Sequence, residues 1–359
     1  MKVLFVGRSD LGSFGGIQTF IRGLIEQMRF RSVSAAYLQM TRGSENRPLC
    51  QWSIVGGQLR ASDCCRETSL SKWLAIEAPD IIHGQNLQTR QQSALFEIQL
   101  AARALGARAL LTVHDVTGSA HEREALLGLT GTVIATQSEY NRQRLQTVGL
   151  PLCELLRVGI RFSGEFPKEP TGRLTICYPA RLAPDKGARL AVQAIGQLTD
   201  SRGPVTLILS NPSTGSYGQT PEYIRELETL AARYPRLNLR YTDPASDAYQ
   251  LYAGSSLTLV CPARSEGFGL VPLESLALGR PVVAYLTGGM REWMSGLEGV
   301  AEVPLLQANA IADTVTAALD RLRTLQEGAL RARERLRLRY DIGTCADEHI
   351  NLYRRASLR

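Results

Sequence analysis

Hydrophobic positions along this chain fall into two patterns that take turns. Short continuous apolar runs, Lys2–Gly7, Arg108–Val113 and Thr132–Ala135, have the length and the polar or glycine boundaries of buried strands, and Asp80-Ile81-Ile82-His83 is a fourth, ending on a polar residue. Between them apolar residues recur every three or four positions. Ile17, Phe20, Ile21, Leu24 and Ile25 share one face of a predicted helix that opens at Gly15-Gly16, Gln88–Leu105 reads as a second helix, and Ser138–Thr147 as a third with Ser138 as its N-cap. Glu154–Val158 closes the series as a strand. Periodicity then vanishes over Arg161–Gly172, where Pro, Gly and charge dominate as in a linker. The alternation restarts with strands at Leu174–Pro179, Val205–Ser210, Leu237–Tyr241, Leu257–Val260 and Pro281–Ala284. Helices are predicted from Ala188, over Pro221–Tyr234 and Ser246–Gly254, and from about Ala308 to the end. Two α/β domains follow, each with a parallel sheet covered by helices on both faces: residues 1–165 and 166–340, with a last helix over 341–359.

Composition narrows the class without changing this picture. The 359 residues fit two domains, and 44% hydrophobic with 21% charged residues is ordinary for a globular protein. No apolar run approaches a membrane span, and the opening MKVLFVGRSD reads as a first strand rather than a signal peptide, so a cytoplasmic protein is expected. Seven cysteines are scattered without a C-x-x-C pair, which suits reduced, buried thiols. None of His83, His114, His121 and His349 pairs at metal-ligand spacing. The net charge of +7 gathers late, where Arg331, Arg333, Arg335, Arg337 and Arg339 alternate along a predicted helix. Alternation spreads charge around a helix, so a solvated helix is the first reading, and attraction to an acidic acceptor or, peripherally, to anionic lipid at the inner membrane face the second. Few aromatics accompany these arginines, which argues against nucleic acid.

Candidate chemistry concentrates after the strand Leu257–Val260, in CPARSEGFGLVPLESLALG. Glu266 and Glu274 flank Gly267-Phe268-Gly269-Leu270 and the start of a helix. Carboxylates at the carboxyl ends of parallel strands suit vicinal hydroxyls of a sugar or ribose, and glycines admit close backbone approach. An ordinary surface loop with a glutamate favoured by the helix dipole fits the same stretch. Arg181 and Lys186 share the loop after the strand Leu174–Pro179; two cations there suit a diphosphate, and a solvated pair is the plain alternative. His114 and Asp115 sit just past another strand, where His114 alone reads equally as a structural, hydrogen-bonded histidine.

Taken together, Glu-x7-Glu in SEGFGLVPLESLALGRPVVA, Arg-x4-Lys-Gly at 181–187, the Gly15-Gly16 pair and TVHD at 112–115 resemble the retaining glycosyltransferases of family GT4 (group 1) along the whole chain. The resemblance implies an α/β fold of two Rossmann-like domains facing a cleft (GT-B), the last helix crossing back to the first domain. It implies transfer of a hexosyl or N-acetylhexosaminyl group from a nucleotide-diphosphate sugar to a carbohydrate, lipid-linked or small-molecule acceptor hydroxyl, without cofactor or metal; no Asp-x-Asp occurs. By the same resemblance Glu266 contacts the donor sugar, Glu274 the ribose, and Arg181 and Lys186 the departing diphosphate. Gly16, Gly267, Phe268, Gly269 and Leu270 line the donor, His114 reaches the sugar near the reacting centre, and Gly15, His83 and Asp115 are acceptor-side candidates. Gly288-Gly289 and Glu292 resemble a further donor segment. Departures from the pattern are Gln85 where a second histidine is usual, Val158 before Gly159, and Asn211-Pro212 in place of a glycine-rich turn. A GT-B nucleotide-sugar epimerase and a non-catalytic GT-B subunit are the alternatives; a dehydrogenase would need a G-x-G-x-x-G that is missing.

Overall fold

The structure is a computed structural model that describes residues 1–7, 15–40, 48–55, 58–62, 78–85, 92–150, 152–162, 174–210, 220–242 and 248–358. The chain divides into two units, Met1–Arg161 with Tyr340–Arg359, and Phe162–Arg339.

The first unit runs β1 (Lys2–Gly7), α1 (Gly16–Phe30), β2 (Ser34–Met40), β3 (Pro48–Val55), β4 (Gln58–Ser62), β5 (Ile81–Gln85), α2 (Gln92–Leu105), β6 (Arg108–Val113), α3 (Ala120–Leu127), β7 (Val133–Thr136), α4 (Glu139–Thr147) and β8 (Glu154–Leu155). Its eight-stranded sheet has the order β4-β3-β2-β1-β5-β6-β7-β8. Six strands are parallel, and β3 and β4 are added antiparallel at one edge. The all-buried run of β5 is what a strand covered on both faces requires. On α1, Phe20, Ile21, Leu24, Ile25 and Met28 are buried, each contributing roughly 1.5–3 kcal/mol of apolar burial. Ser138 caps α4 by accepting from the Asn141 N–H at 3.2 Å, as the sequence predicts. The strand expected over Glu154–Val158 shrinks to two residues.

The second unit runs β9 (Thr175–Tyr178), α5 (Ala188–Arg202), β10 (Val205–Leu209), α6 (Pro221–Ala231), β11 (Leu237–Tyr241), α7 (Ala248–Ala253), β12 (Leu257–Val260), α8 (Leu270–Ala277), β13 (Val282–Ala284), α9 (Met290–Met294), β14 (Val300–Glu302), α10 (Ala308–Asp320) and α11 (Leu322–Tyr340). Its sheet is wholly parallel in the order β11-β10-β9-β12-β13-β14. The chain winds outward from β9 to β11, then returns to place β12 on the other side of β9. Two parallel strands whose connections leave in opposite directions open a crevice at their carboxyl ends. Leucine, isoleucine, valine and alanine side chains of the strands and of α5, α6 and α10 fill the core on one face, and Cys177, Leu251, Tyr252 and Leu278 form a smaller cluster.

The last helix, α12 (Ile342–Ser357), belongs to the first unit. Asp341 breaks the helical run and caps α12 by accepting from the Gly343 N–H at 2.9 Å. On α12, Arg31, the C-cap residue of α1, reaches Asp347 at 2.5 Å and the Gly343 carbonyl at 3.0 Å. At the same break the Ile160 N–H donates to the Tyr340 carbonyl and the Ile342 N–H to the Ile160 carbonyl, at 3.0 and 2.8 Å. The outgoing and returning chains are therefore tied together at one point. No helix among the described residues is long and apolar enough to cross a membrane. The arginine run of α11 is largely paired within its own unit. Arg331 and Arg335 reach Glu298, Arg337 reaches Glu334, and Arg333 is buried.

Candidate active site

The loop after β9 and the loop after β12 flank the point where the second sheet reverses direction, and the structure knits them together. After β9 a 3₁₀ turn, Pro184–Lys186, ends at Gly187, which starts α5. Gly187 has φ +85, and a Cβ there would lie 2.0 Å from the Cys261 carbonyl oxygen, so only glycine fits. The Ala263 N–H donates to the Asp185 carbonyl at 3.0 Å, and the buried Tyr178 hydroxyl donates to the Lys186 carbonyl. With the two backbones held this closely, Lys186 Nζ donates to Glu266 Oε1 at 2.7 Å, both side chains half-buried. Arg181 lies at the head of the same loop, 3.8 Å from Asp185. Two cations, Arg181 and Lys186, and two carboxylates, Asp185 and Glu266, thus share the crevice mouth.

Glu266 is also fixed from its far side. Its carbonyl accepts from the Gly289 N–H at 2.8 Å, and Gly288, at φ +57, leaves room for it where a Cβ would stand 2.2 Å away. The following Gly267-Phe268-Gly269 turn is anchored by Trp293. The indole stacks on Phe268 with ring centroids 5.5 Å apart, and its N–H donates to the Phe268 carbonyl at 3.0 Å. Gly269, at φ +86, is the N-cap of α8, which opens at Leu270. Glu274 therefore sits in the second turn of α8, near its start as the sequence suggests, and the Tyr252 hydroxyl of α7 donates to its Oε2 at 2.5 Å. Burial pushes the Tyr252 and Tyr178 hydroxyls well above the usual phenol range, so both remain donors. The far end of α8 is closed by buried Arg333, whose Nε donates to the Ala277 carbonyl at 2.9 Å, where a cation suits the helix dipole.

In the first unit His114 stands at the end of β6. Its carbonyl accepts from Gln137 and Asn141 at 2.5 and 3.0 Å, fixing where the strand ends. Its ring Nε2 meets Gln85 Oε1 at 2.6 Å. Burial, then the nearby His349, lower its pKa to about 4, so the imidazole is neutral at pH 7. Asp115 beside it is exposed. His83 is placed differently from an acceptor-side surface group. It is fully buried, with Nδ1 2.7 Å from Tyr353 Oη of α12 and Nε2 2.7 Å from Thr112 Oγ1. The physical reason is its strand: β5 is central and covered on both faces, so a polar side chain there must find internal partners. Gly15 and Gly16 lie at the start of α1, Gly15 as its N-cap in extended backbone and Gly16 as its first residue.

The structure thus brings together Arg181, Lys186, Glu266, Gly267, Phe268, Gly269, Leu270 and Glu274 in the second unit, and His83 with His114 in the first. Sequence reasoning missed Tyr252, Trp293, Tyr178 and Tyr353. No spacing rule marks a tyrosine on one helix as the partner of a glutamate on the next. Asn211 and Pro212 lie outside the described residues. Among the described residues no three His, Cys, Asp or Glu side chains gather where they could hold a metal ion.

Comparison with known proteins gives this geometry a context. Residues 161–335 match the family model described as glycosyl transferases group 1. The chain is 31% identical over 150 residues to a D-inositol 3-phosphate glycosyltransferase of Acidothermus cellulolyticus, covering 40% of this chain and 33% of that protein. It therefore spans only about a third of that relative's length. Among solved structures, sucrose-phosphate synthase from Thermosynechococcus elongatus superposes with a TM-score of 0.80 at 18% identity, covering 99% of this chain and 98% of the other. HepE of Anabaena, solved in complex with UDP-glucose, does so with a TM-score of 0.73 at 18% identity, covering 98% and 99%. At these identities the superpositions speak for the fold, two Rossmann-like units of GT-B type. The site loops of the second unit, from Arg181 to Glu292, lie wholly inside the stretch, residues 161–335, that matches the glycosyl transferases group 1 model.

Proposed function

We propose that the chain is a retaining, GT4-type glycosyltransferase that moves a hexosyl or N-acetylhexosaminyl group from a nucleoside diphosphate sugar to an acceptor hydroxyl. The observation that carries this reading is the Lys186–Glu266 contact of 2.7 Å at the switch point of the second sheet, with Arg181 on the same loop. An ammonium has three donors, so Lys186 can keep Glu266 and still reach a phosphate oxygen. A cation beside a carboxylate fits a ligand with an anionic leaving group on one side and sugar hydroxyls on the other. Glu266 accepts from the sugar hydroxyls, Glu274 from the ribose, and Arg181 and Lys186 stabilise charge as the diphosphate departs. In a same-face displacement the anomeric C–O bond to phosphate breaks while the acceptor oxygen bonds to that carbon from the same side. The acceptor proton passes to the leaving phosphate oxygen. Compensation by two side-chain cations is the reason to expect turnover without metal or cofactor. A bacterial polysaccharide, glycolipid or natural-product hydroxyl is the acceptor class proposed.

The test is direct. The protein is screened by thermal shift against UDP, GDP, ADP, CMP, NAD and their sugar conjugates in EDTA, and the best conjugate is assayed for nucleotide release with an acceptor panel. Stabilisation by one nucleoside diphosphate is expected, on the order of 2.7 kcal/mol at 100 times its Kd. Lys186→Ala should lower kcat by roughly a hundredfold or more, and the product should keep the donor's anomeric configuration by NMR. Conversion of the donor without acceptor would make the protein an epimerase. Binding with no turnover, or binding of NAD alone, would overturn the transferase.

A further inference from the structure

Gln85, on the last position of β5, touches two histidines. The strands explain how. His83 and Gln85 are two apart on β5, Thr112 and His114 are two apart at the end of β6, and Gln85 pairs in register with Thr112. Side chains two apart project to the same face, so all four meet on one side of the sheet. Gln85 Oε1 is 2.6 Å from His114 Nε2, and the amide nitrogen is 3.0 Å from His83 Nε2. His83 Nδ1 continues the chain to Tyr353 Oη at 2.7 Å, and Thr112 Oγ1 flanks His83 Nε2 at 2.7 Å.

We propose that Gln85 is a positioning residue that decides which nitrogen of His114 carries the proton, so that His114 meets its ligand as a neutral hydrogen-bond acceptor through Nδ1. An amide oxygen only accepts, so the nitrogen facing it, Nε2, holds the hydrogen. The amide's other end only donates, so His83 Nε2 accepts and its Nδ1–H donates to Tyr353. The chain is consistent in this sense or with every member reversed, and the two senses give opposite tautomers of His114. The sense with the Gln85 oxygen toward His114 is the one in the structure. Among the described residues the groups that act on His114 are Gln85 at its Nε2, His83 behind Gln85, and His349, and burial disfavours the imidazolium. His114 therefore serves as a fixed acceptor for a hydroxyl rather than as an acid. That use of His114 rests on the glycosyltransferase reading; the tautomer assignment does not.

The experiment uses the intact protein labelled with ¹⁵N-histidine, and long-range ¹H–¹⁵N spectra at pH 7 with no ligand. A single His114 form with the proton on Nε2 is expected. A proton on Nδ1 overturns the proposal whatever the variants do. Gln85→Met should leave His114 a mixture of tautomers, whereas Gln85→Glu, which keeps an acceptor, should restore the Nε2–H form and raise the pH at which His114 titrates. An unchanged tautomer in folded Gln85→Met sinks the positioning role. With the best donor from the screen, Gln85→Met should lower kcat/KM by about tenfold, the worth of one hydrogen bond. Scrambled tautomers with unaltered kcat/KM would refute the use of His114 on the sugar and leave the glycosyltransferase reading standing.

Discussion

Tyr252 is almost wholly buried, yet its hydroxyl emerges at Glu274, the carboxylate proposed for the ribose. A long glutamate side chain samples several rotamers; a donor at a fixed point selects one of them. Tyr252→Phe keeps the ring packing and removes only that donor. Nucleoside diphosphate affinity should fall by roughly ten- to a hundredfold, the range of a hydrogen bond to a charged group. The fall should shrink for a 2′,3′-dideoxy analogue when both are measured by calorimetry. Equal losses for the two nucleotides would detach Tyr252 from the ribose. This residue also marks the limit of what the sequence displays. Glu266, Glu274, Arg181 and Lys186 stand out in sequence through the spacings that carry the family resemblance; as charges alone they read equally as solvated surface groups. Tyr252, Trp293 and Tyr178 are legible in sequence only as core, and their polar tips acquire meaning once helices are packed. His83 shows the converse. A histidine ending a strand resembles a site residue, but a central strand buries it, and what it serves is its neighbour two residues on.

An element is most legible in the sequence where its period is sustained, as in α1, and least where strand and loop chemistry are mixed. β2, with its Ser-Ala-Ala opening, and the antiparallel β3–β4 pair gave no clear alternation, and β14 is three residues long. What the sequence could not show is that the loops after β9 and β12 touch, because strand order lies outside any local pattern. Their closeness makes a quantitative demand on Gly187. Gly187→Ala combines a left-handed backbone, costing about 1–2 kcal/mol for an L-residue, with a collision against the Cys261 carbonyl. Its unfolding free energy should drop well beyond that of Gly106→Ala, where φ is +68 and the space is open. Urea titrations of the two variants give the comparison. Equal losses would mean that the loops move apart at little cost, and Lys186 would then not be held against Glu266.

At the scale of the molecule, all four histidines fall in the first unit, and three of them, His83, His114 and His349, are depressed by burial. A histidine neutral in the fold and free to protonate in the unfolded chain gives stability that is lost as pH falls from about 6.5 toward the folded pKa. For His349, with a folded pKa of about 4, the loss at pH 5 is about 2 kcal/mol relative to pH 7. Calorimetry at pH 7 and 5 should therefore show the transition of the first unit moving down further than that of the second; parallel shifts would refute it. The tie between Ile160, Tyr340 and Ile342 has a temporal consequence. Topologically the second unit is an insertion within the first, so every residue of Phe162–Arg339 is synthesised before α12. The helix that covers α1 and supplies Tyr353 to His83 emerges only afterwards. During synthesis the later-encoded unit can close first, while the earlier one waits with the apolar face of α1 uncovered, a window in which a chaperone would find its substrate.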